Sequence, residues 1–336
     1  MNALWLTTFL VFAVTWPTSA DPPPHSPAPF EKGPFLDDDD LLAPALQRPQ
    51  LIEIYRFENA GTGATALPAF TRSGRFLALG GEPVRFIDLD RHSFFELPTS
   101  GNVAPGGGED ELLVRRKTGL ERWSLREKAL LETRMSSPGI GLPAVSPDGA
   151  WLVSFGEHLA KDEILSLRGL GIREVGRTFG MTGHVLWHPG GQRFLIASHR
   201  SFCSRARGGE LASIDTRGHI EWSRDLDEAD RPIAWSFSPN GERLLMASPG
   251  ALELRSGEHC ELLRSRDVVV RDIGWLDERR ALVLEDGVLS LWHPGTLTRV
   301  ARLFETEAHA MVSSPKLRHL VLIGEKSLEI YTLLER

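Results

Sequence analysis

From residue 49 onward, short apolar runs alternate with turn residues at a regular spacing. The clearest turns are FTRSG at 70, VSPDG at 145, WHPGG at 187, FSPNG at 237 and SSPK at 313, with weaker copies VAPGG at 103 and WLDERR at 275. In such turns Pro sets φ at the first corner and Gly supplies a positive φ at the exit. The spacing predicts seven repeats of about forty residues each.

Each turn is followed by a compact apolar strand and then by an alternating one. In the first repeat these are RFLALGG (75–81) and VRFIDLD (84–90), and a fourth strand, FFELP (94–98), comes next. Runs rich in Val, Ile, Leu, Phe and Trp between turn residues are typical of β-strands. No helical periodicity is sustained, so we expect an all-β protein built from four-stranded units.

The two ends of the repeat region complement each other. The seventh repeat stops at Arg336 directly after its third strand, and LIEIYRF (51–57) precedes the first repeat. We expect this N-terminal strand to complete the last unit and to cover its open edge. The predicted fold is therefore a seven-bladed β-propeller, residues 49–336, closed by an N-terminal strand.

These turns, strands and repeat number resemble a WD-repeat or TolB-like β-propeller over residues 49–336. In each repeat at most one member of the Trp-Asp pair of WD repeats is present. Trp123, Trp292 and Tyr331 stand at the aromatic position, and Asp88 and Asp215 stand at the aspartate position that follows it. The resemblance implies the fold and says little about function. Because the pair is split, we expect the buried His-Asp network of WD repeats to be mostly absent, although Gly183-His184 stands where its Gly-His would be.

The N-terminal region predicts export. Residues 4–16 form an uncharged apolar run that ends at Pro17 and is followed by Thr18-Ser19-Ala20. This pattern indicates a signal peptide, residues 1–20, cleaved before Asp21; the alternative is an uncleaved anchor. Residues 21–48 are rich in Pro and Asp and are expected to be a disordered linker. The predicted location is the periplasm or the cell exterior.

Composition narrows the choice of partners. The chain has 336 residues with 38 Lys and Arg against 45 Asp and Glu, a net charge of −7. This balance argues against a general nucleic-acid binder, which needs an excess of basic residues. The two cysteines, Cys203 and Cys260, fall on opposite faces of the predicted fold and are expected to be too far apart for a disulfide. No Asn-x-Ser/Thr acceptor is present, which favours a bacterial origin.

Several residues allow both a chemical and a structural interpretation. Trp187, Phe237 and Trp275 end the first strand of three repeats, so we expect them to fill the layers between units, with substrate stacking as the alternative. His184 and His188 share a strand face and, with His158 and His199 nearby in the sequence, suggest a zinc or copper site, but no Cys or carboxylate pair shares their spacing. No GxSxG elbow and no CxxCH motif occur. We therefore predict no metal and no cofactor.

The segment HRSFCSRARGG (199–209) is an insertion between the second and third strands of the fourth repeat. In a propeller it lies on the same face as SRDLDEADRP (223–232), which joins the fourth repeat to the fifth. The guanidinium groups suit an anionic ligand or an acidic protein segment, and the alternative is a solvated rim of ion pairs. The predicted binding residues are Arg200, Phe202, Arg205, Arg207, Asp227 and Arg231.

The sequence thus favours an exported, non-catalytic β-propeller that binds a protein partner or an anionic ligand on the loop face of repeats four and five. This function rests on fold-level analogy, because propellers present variable loops on a rigid frame. The alternative is a propeller enzyme, a lyase or hydrolase, with its site at the mouth of the central channel.

Overall fold

The computed structural model describes the strand-rich part of the chain. The described residues are 49–58, 68–116, 119–135, 144–154, 163–166, 172–174, 181–199, 209–227, 230–315 and 318–334. The predicted signal peptide (1–20) and linker (21–48) lie outside them. Within the described ranges, no helix has the length and apolar character needed to cross a membrane.

The described residues form 28 strands in seven four-stranded antiparallel sheets. Sheet 1 is β2 (Ala69–Phe70), β3 (Phe76–Leu79), β4 (Val84–Asp88) and β5 (Ser93–Leu97); sheet 2 is β6 (Asn102–Pro105), β7 (Glu111–Arg116), β8 (Gly119–Ser124) and β9 (Ala129–Met135). Sheet 3 is β10 (Ala144–Val145), β11 (Trp151–Ser154), β12 (Glu163–Ser166) and β13 (Ile172–Glu174); sheet 4 is β14 (Met181–Trp187), β15 (Arg193–His199), β16 (Gly209–Asp215) and β17 (Ile220–Leu226).

The remaining sheets continue the same order. Sheet 5 is β18 (Ala234–Phe237), β19 (Arg243–Ser248), β20 (Ala251–Ser256) and β21 (Leu262–Asp267); sheet 6 is β22 (Val270–Asp277), β23 (Arg280–Glu285), β24 (Val288–His293) and β25 (Thr298–Glu305). Sheet 7 is β26 (Ala310–Ser313), β27 (His319–Ile323), β28 (Ser327–Leu334) and β1 (Gln50–Glu58).

Sheet 7 takes its fourth strand from the other end of the described chain. Strand β1 pairs antiparallel with β28 from Gln50↔Leu334 to Glu58↔Ser327, with a register shift between Glu53 and Tyr55. This is the strand pairing that LIEIYRF was expected to make. It covers the edge of β28 that would otherwise expose unpaired backbone groups.

The antiparallel order gives each sheet two distinct ends. One end, the turn face, holds the turns between first and second strands and between third and fourth strands. The opposite end, the connector face, holds the turns between second and third strands and the connections from one sheet to the next. Functional residues can therefore be assigned to a face from their place between strands.

The SPDG turn forms as its residues predict. Ser146 Oγ donates a hydrogen bond to Asp148 Oδ1 (2.6 Å) and accepts one from the Trp151 N–H (2.9 Å). Gly149 has φ +68°, and a Cβ atom there would lie 2.5 Å from the Gly107 carbonyl oxygen of the neighbouring turn. Glycine is thus required at this position both by its own backbone conformation and by the close approach of sheet 2.

Neighbouring turns also contact one another on the turn face. Arg72 Nη1 donates to Gly107 O (2.8 Å) and its Nε donates to Pro147 O (3.1 Å), so one side chain joins the turns of sheets 1, 2 and 3. The Asn240 N–H donates to Glu278 Oε1 (2.8 Å) and joins the turns of sheets 5 and 6. These contacts fix neighbouring sheets relative to one another.

Large aromatic side chains fill the interfaces between sheets, as predicted. Trp187, Phe237 and Trp275 are all buried. Trp187 Nε1 donates to Ala144 O of the preceding sheet (3.0 Å), and Trp275 Nε1 donates to Ser236 O of the preceding sheet (2.8 Å). The small side chains of Ala144 and Ser236 leave room for the indoles, and the hydrogen bonds satisfy their N–H groups.

Buried carboxylates form a polar network that the sequence analysis did not identify. In sheet 2, Glu121 accepts hydrogen bonds from Thr99 Oγ1 (2.7 Å), Arg116 Nη1 (2.6 Å) and Trp123 Nε1 (3.0 Å). Burial raises the pKa of Glu121, but these hydrogen bonds outweigh it and hold the pKa below its usual value. Comparable contacts join Trp292 to Glu285 (3.1 Å) and Tyr331 to Glu329 (2.7 Å). These carboxylates hydrogen-bond the same third-strand aromatic residues that the sequence singled out.

The interface between sheets 6 and 7 differs from the aromatic ones. Gly274 and Ser313 line a cavity of about 20 Å³ together with Trp275 and Met311. Nearby, Asp272 Oδ2 accepts a hydrogen bond from the Met311 N–H (2.7 Å) and Oδ1 accepts one from the Ile273 N–H (2.8 Å). Loss of solvent around this carboxylate raises its pKa to about 6, despite the two N–H groups.

Removing the Trp275 indole should weaken the sheet 5–sheet 6 interface. We expect Trp275→Ala to lower the free energy of unfolding by about 3–5 kcal/mol through lost packing. Trp275→Phe keeps a ring and should cost less, although it loses a hydrogen bond worth about 1 kcal/mol. Chemical denaturation measures both. Trp222→Phe is the matched control, because it removes a more exposed indole hydrogen bond, to Glu258 O (3.0 Å). Equal losses of unfolding free energy in Trp222→Phe and Trp275→Phe would contradict the role of Trp275 in this interface.

Asp272 should make stability depend on pH. Because its folded pKa is about 6 against an ordinary 3.8, its stabilising contribution is present below the ordinary value and is lost as the pH rises through about 6. The wild type should therefore lose stability relative to Asp272→Asn between about pH 4.5 and pH 7.5, measured by denaturant unfolding. Ser313→Ala is the control, because it alters the same interface but removes no titratable group. It should change the free energy of unfolding by the same amount at pH 4.5 and at pH 7.5, to within about 0.5 kcal/mol. A constant difference between wild type and Asp272→Asn would refute the pKa assignment.

Candidate functional site

The predicted arginine-rich loop is anchored at the connector face of sheet 4. Gly209 pairs with His199 on β15 and with Leu226 on β17. A Cβ atom at Gly209 would lie 2.5 Å from the Ser198 carbonyl oxygen, so this close pairing requires glycine. The two ends of the loop, His199 and Gly209, therefore lie close to Leu226, the residue before Asp227. The four predicted loop residues lie outside the described residues: Arg200, Phe202, Arg205 and Arg207.

The other two predicted site residues lie in the connection from sheet 4 to sheet 5. Asp227 follows β17, Arg231 precedes β18, and both are exposed. The carbonyl oxygen of Asp227 accepts a hydrogen bond from the Asp230 N–H (3.1 Å), which turns the chain at this point. The structure thus places Asp227 and Arg231 on the same face as the two ends of the arginine-rich loop.

Two exposed apolar side chains on this face were missed by the sequence analysis. Ile233 is 45% exposed and Val269 is 61% exposed. Each stands just before the first strand of its sheet, Ile233 before β18 and Val269 before β22. In the sequence each is an apolar residue directly before a strand, and hydrophobic periodicity alone would assign such a residue to the core. Exposed side chains of this size at a loop-bearing face suit contact with a partner.

An exposed ion pair begins two residues after Val269. Arg271 Nη2 lies 2.7 Å from Asp286 Oδ1, and both side chains are exposed. Arg271 belongs to the start of β22, and Asp286 belongs to the turn between β23 and β24. Such a pair contributes little to stability. It leaves charged groups on the connector face beside Val269.

The turn face carries a polar groove between sheets 4 and 5. Its volume is about 380 Å³, and its lining includes His188, Arg193, Asn240, Glu242 and Glu258. His188 Nδ1 accepts a hydrogen bond from the Gly190 N–H (3.1 Å), and Nε2 lies 3.2 Å from Gly241 O. Burial and the charge of Arg193 lower the pKa of His188, so the ring is neutral and both nitrogens are used by the turns.

The described residues do not assemble a metal site. Within these parts of the chain, no group of three His, Cys, Asp or Glu side chains is close enough to hold an ion. His188 enters the turn, as its position in WHPGG predicts. His158 lies outside the described residues, and for His184 and His199 the structure describes the backbone alone.

Two further histidines hydrogen-bond threonine hydroxyls on the turn face. His293 Nδ1 lies 3.0 Å from Thr296 Oγ1, and His319 Nδ1 lies 3.3 Å from Thr332 Oγ1. Burial and the charges of Arg243, Arg279 and Arg264 lower the pKa of His293. Thr296 also returns its backbone N–H to His293 Nδ1 (3.3 Å), so this pair closes the turn between β24 and β25. The hydrogen bonds between His293 and Thr296 therefore stabilise this turn.

Cys260 is a buried free thiol just before β21. Burial raises its pKa above the ordinary value. Its carbonyl oxygen accepts hydrogen bonds from Arg255 Nη1 of the same sheet (3.0 Å) and from Arg224 Nη1 of sheet 4 (3.1 Å), and the second bond joins sheet 4 to sheet 5. The role visible here is structural. Cys203 lies outside the described residues.

The chain is similar in structure to solved β-propeller proteins. A chain in the crystal structure of a mitotic checkpoint complex is similar with a TM-score of 0.66 and 13% identity, covering 93% of this chain and 99% of that one. The β-propeller domain of Cps50 (Swd1) from Myceliophteria thermophila is similar with a TM-score of 0.64 and 14% identity, covering 85% of this chain and 100% of that one. No protein-family model matches the sequence, and no curated protein matches it. The predicted all-β propeller fold is thereby confirmed, and at these identities the similarity establishes the fold alone.

Proposed function

We propose that this protein is an exported, non-catalytic binding scaffold that holds a protein partner on the connector face of sheets 4 and 5. The observation that carries the proposal is the pairing of Gly209 with both His199 and Leu226, which anchors the arginine-rich loop beside Asp227. The exposed side chains of Arg231 and Ile233 follow in the same connection. Arg200, Arg205 and Arg207 would bind carboxylate or phosphate groups of the partner, with Phe202 as an apolar contact.

We further propose that the seven sheets are the blades of one closed ring of the WD-repeat or TolB-like type. The pairing of β1 with β28 supports closure within sheet 7. Phe70 and Leu77 of sheet 1 pack in one apolar cluster with Val321 and Ile330 of sheet 7, which supports contact between the first and last sheets. A ring that is closed in this way gives a rigid support for variable loops.

Export is proposed from residues 1–20. The apolar run at 4–16 and the small residues before Asp21 match the pattern of a cleaved signal peptide, which supports a location in the periplasm or outside the cell. Protein isolated from its native host is expected to begin at Asp21, as measured by N-terminal sequencing. An N-terminus at Met1 would contradict cleavage.

Neutralising the arginine-rich loop should remove the partner. We expect affinity enrichment from an envelope extract with residues 21–336 to recover a partner that the variant Arg200→Ala, Arg205→Ala, Arg207→Ala no longer retains. With the purified partner, the triple variant should raise the Kd at least about ten-fold, because charge-assisted hydrogen bonds are worth roughly 1.5–3 kcal/mol each.

A matched control removes the same charge from the other face. Arg91, Arg217 and Arg279 are exposed in turns of the turn face, and their triple Ala variant should keep the affinity of the wild type. Equal loss in both triple variants would show a general charge effect and refute the loop as the site. If the wild type enriches no reproducible partner, the scaffold function fails and the lyase or hydrolase alternative becomes the better hypothesis.

A further inference from the structure

The polar groove between sheets 4 and 5 has the size of a small-molecule site. Its volume of about 380 Å³ falls in the range of about 300–1,000 Å³ that ligand pockets occupy. Arg193 lines it from sheet 4, and Asn240, Glu242, Ser256 and Glu258 line it from sheet 5. The groove thus brings together side chains of both charges on the turn face, away from the arginine-rich loop.

Hydrogen bonds between turns hold the walls of this groove in place. Arg193 Nη2 of sheet 4 donates to Gly257 O of sheet 5 (3.1 Å). The Gly257 N–H donates to Glu242 O (2.7 Å), which joins two turns of sheet 5. His188 Nε2 lies 3.2 Å from Gly241 O and makes a second link between the sheets. Because the walls are already fixed, a ligand would cause little loss of conformational entropy in the backbone on binding.

Opposite charges line the groove without neutralising each other. Arg193 Nη1 lies 3.8 Å from Glu221 Oε2, a carboxylate outside the groove lining. Glu242 Oε2 accepts a hydrogen bond from Asn240 Nδ2 (3.0 Å), and the side chain of Glu258 is 73% exposed. Among these described side chains no ion pair joins Arg193 to Glu242 or to Glu258. One guanidinium group and two carboxylates therefore border the same solvent-filled space.

This mixture of charges restricts the class of ligand. A phosphate or carboxylate ligand would be repelled by Glu242 and Glu258, and a metal cation would be repelled by Arg193. Over the part of the chain that the structure describes, no three His, Cys, Asp or Glu side chains are arranged to hold an ion. A hydroxyl group both donates and accepts hydrogen bonds. Adjacent hydroxyls of one ligand can therefore accept from a guanidinium group and donate to carboxylates at the same time.

We propose that this groove binds a neutral ligand with adjacent hydroxyl groups, which is the chemistry of a sugar residue. Arg193 Nη1 donates to one ligand hydroxyl, and the carboxylates of Glu242 and Glu258 accept from others. The hydroxyl of Ser256 adds a further polar contact on the sheet 5 wall. Hydrogen bonds to charged groups are stronger than those between neutral groups, so these side chains supply most of the affinity.

The inference goes beyond the proposed function. It concerns a small ligand on the turn face, whereas the proposed function concerns a protein partner on the connector face. It also uses none of the residues of the arginine-rich loop, so either one can hold without the other.

The test titrates residues 21–336 with the methyl α-glycosides of glucose, galactose and mannose, followed by saturation-transfer difference NMR. At least one glycoside should bind with a Kd on the order of 1–10 mM, because water competes in an open groove. Tetrahydropyran, which has the ring without the hydroxyl groups, should show no saturable binding. The uronic acid and 2-amino derivatives of the glycoside that binds best should bind no more tightly than the neutral glycoside, because each meets a like charge in the groove.

Two variants remove groups that border the groove. Glu258→Gln and Arg193→Lys each remove a charge-assisted hydrogen bond and should raise the Kd at least about five-fold. Arg193→Lys keeps the charge but lacks the forked guanidinium group, and it also loses the contact with Gly257. Glu258→Gln changes an exposed side chain, so it tests the groove even if Arg193→Lys fails to fold, which circular dichroism would reveal.

Matched controls make the same substitutions elsewhere on the turn face. Glu127 and Arg91 are exposed in turns of sheets 2 and 1, outside the groove. Glu127→Gln and Arg91→Lys should leave the Kd of the glycoside within about two-fold of the wild type, because solvent screens charges at that separation.

The outcomes separate this inference from the proposed function. No saturable binding of any of the three glycosides, tighter binding of a charged derivative, or equal weakening by the groove and control variants would overturn the groove as a sugar site. The scaffold function is decided by whether the loop variant Arg200→Ala, Arg205→Ala, Arg207→Ala loses the enriched partner. Loss of that partner without glycoside binding would retain the scaffold function and refute the sugar site.

Discussion

The pairing of β1 with β28 is the contact on which the last sheet depends. Without β1, strand β28 would be an edge with a row of unpaired N–H and C=O groups, and Leu328 and Ile330 would have less apolar surface around them. The same pairing brings Ile54 and Phe57 against the cluster that contains Phe70 and Leu77 of sheet 1. One strand therefore completes sheet 7 and connects it to the first sheet, so the two ends of the described chain stabilise each other.

The other interfaces between sheets use different solutions to the same packing problem. At Trp187 and Trp275 a large indole fits over a small residue of the preceding sheet and donates a hydrogen bond to its backbone. Between sheets 6 and 7, Gly274 and Ser313 leave a small cavity, and Asp272 bridges to Met311 instead. An interface that depends on a carboxylate is sensitive to pH, whereas an interface that depends on an indole is not.

The two faces of the molecule are suited to different tasks. On the turn face, side chains such as Arg72 are used to join neighbouring turns, and His188 and His293 hold their own turns as neutral rings. On the connector face, Asp227, Ile233 and Val269 remain exposed at the ends of well-packed strands. Side chains that stay exposed at the ends of packed strands are the groups that a partner could contact.

Much of the fold follows from local sequence, because turns and strands depend on near neighbours. The SPDG turn, the burial of Trp187, Phe237 and Trp275 and the pairing of residues 51–57 with β28 could all be predicted from residue pattern. Glu121 escaped notice because a single Glu two residues before Trp123 does not reveal that Thr99 and Arg116 also reach it. The bridge from Asp272 to Met311 joins residues that are far apart in the chain. By itself the sequence determined strands, turns and their repeat, whereas only the tertiary structure decided which charged and apolar side chains share a face, because that depends on how one sheet packs on the next.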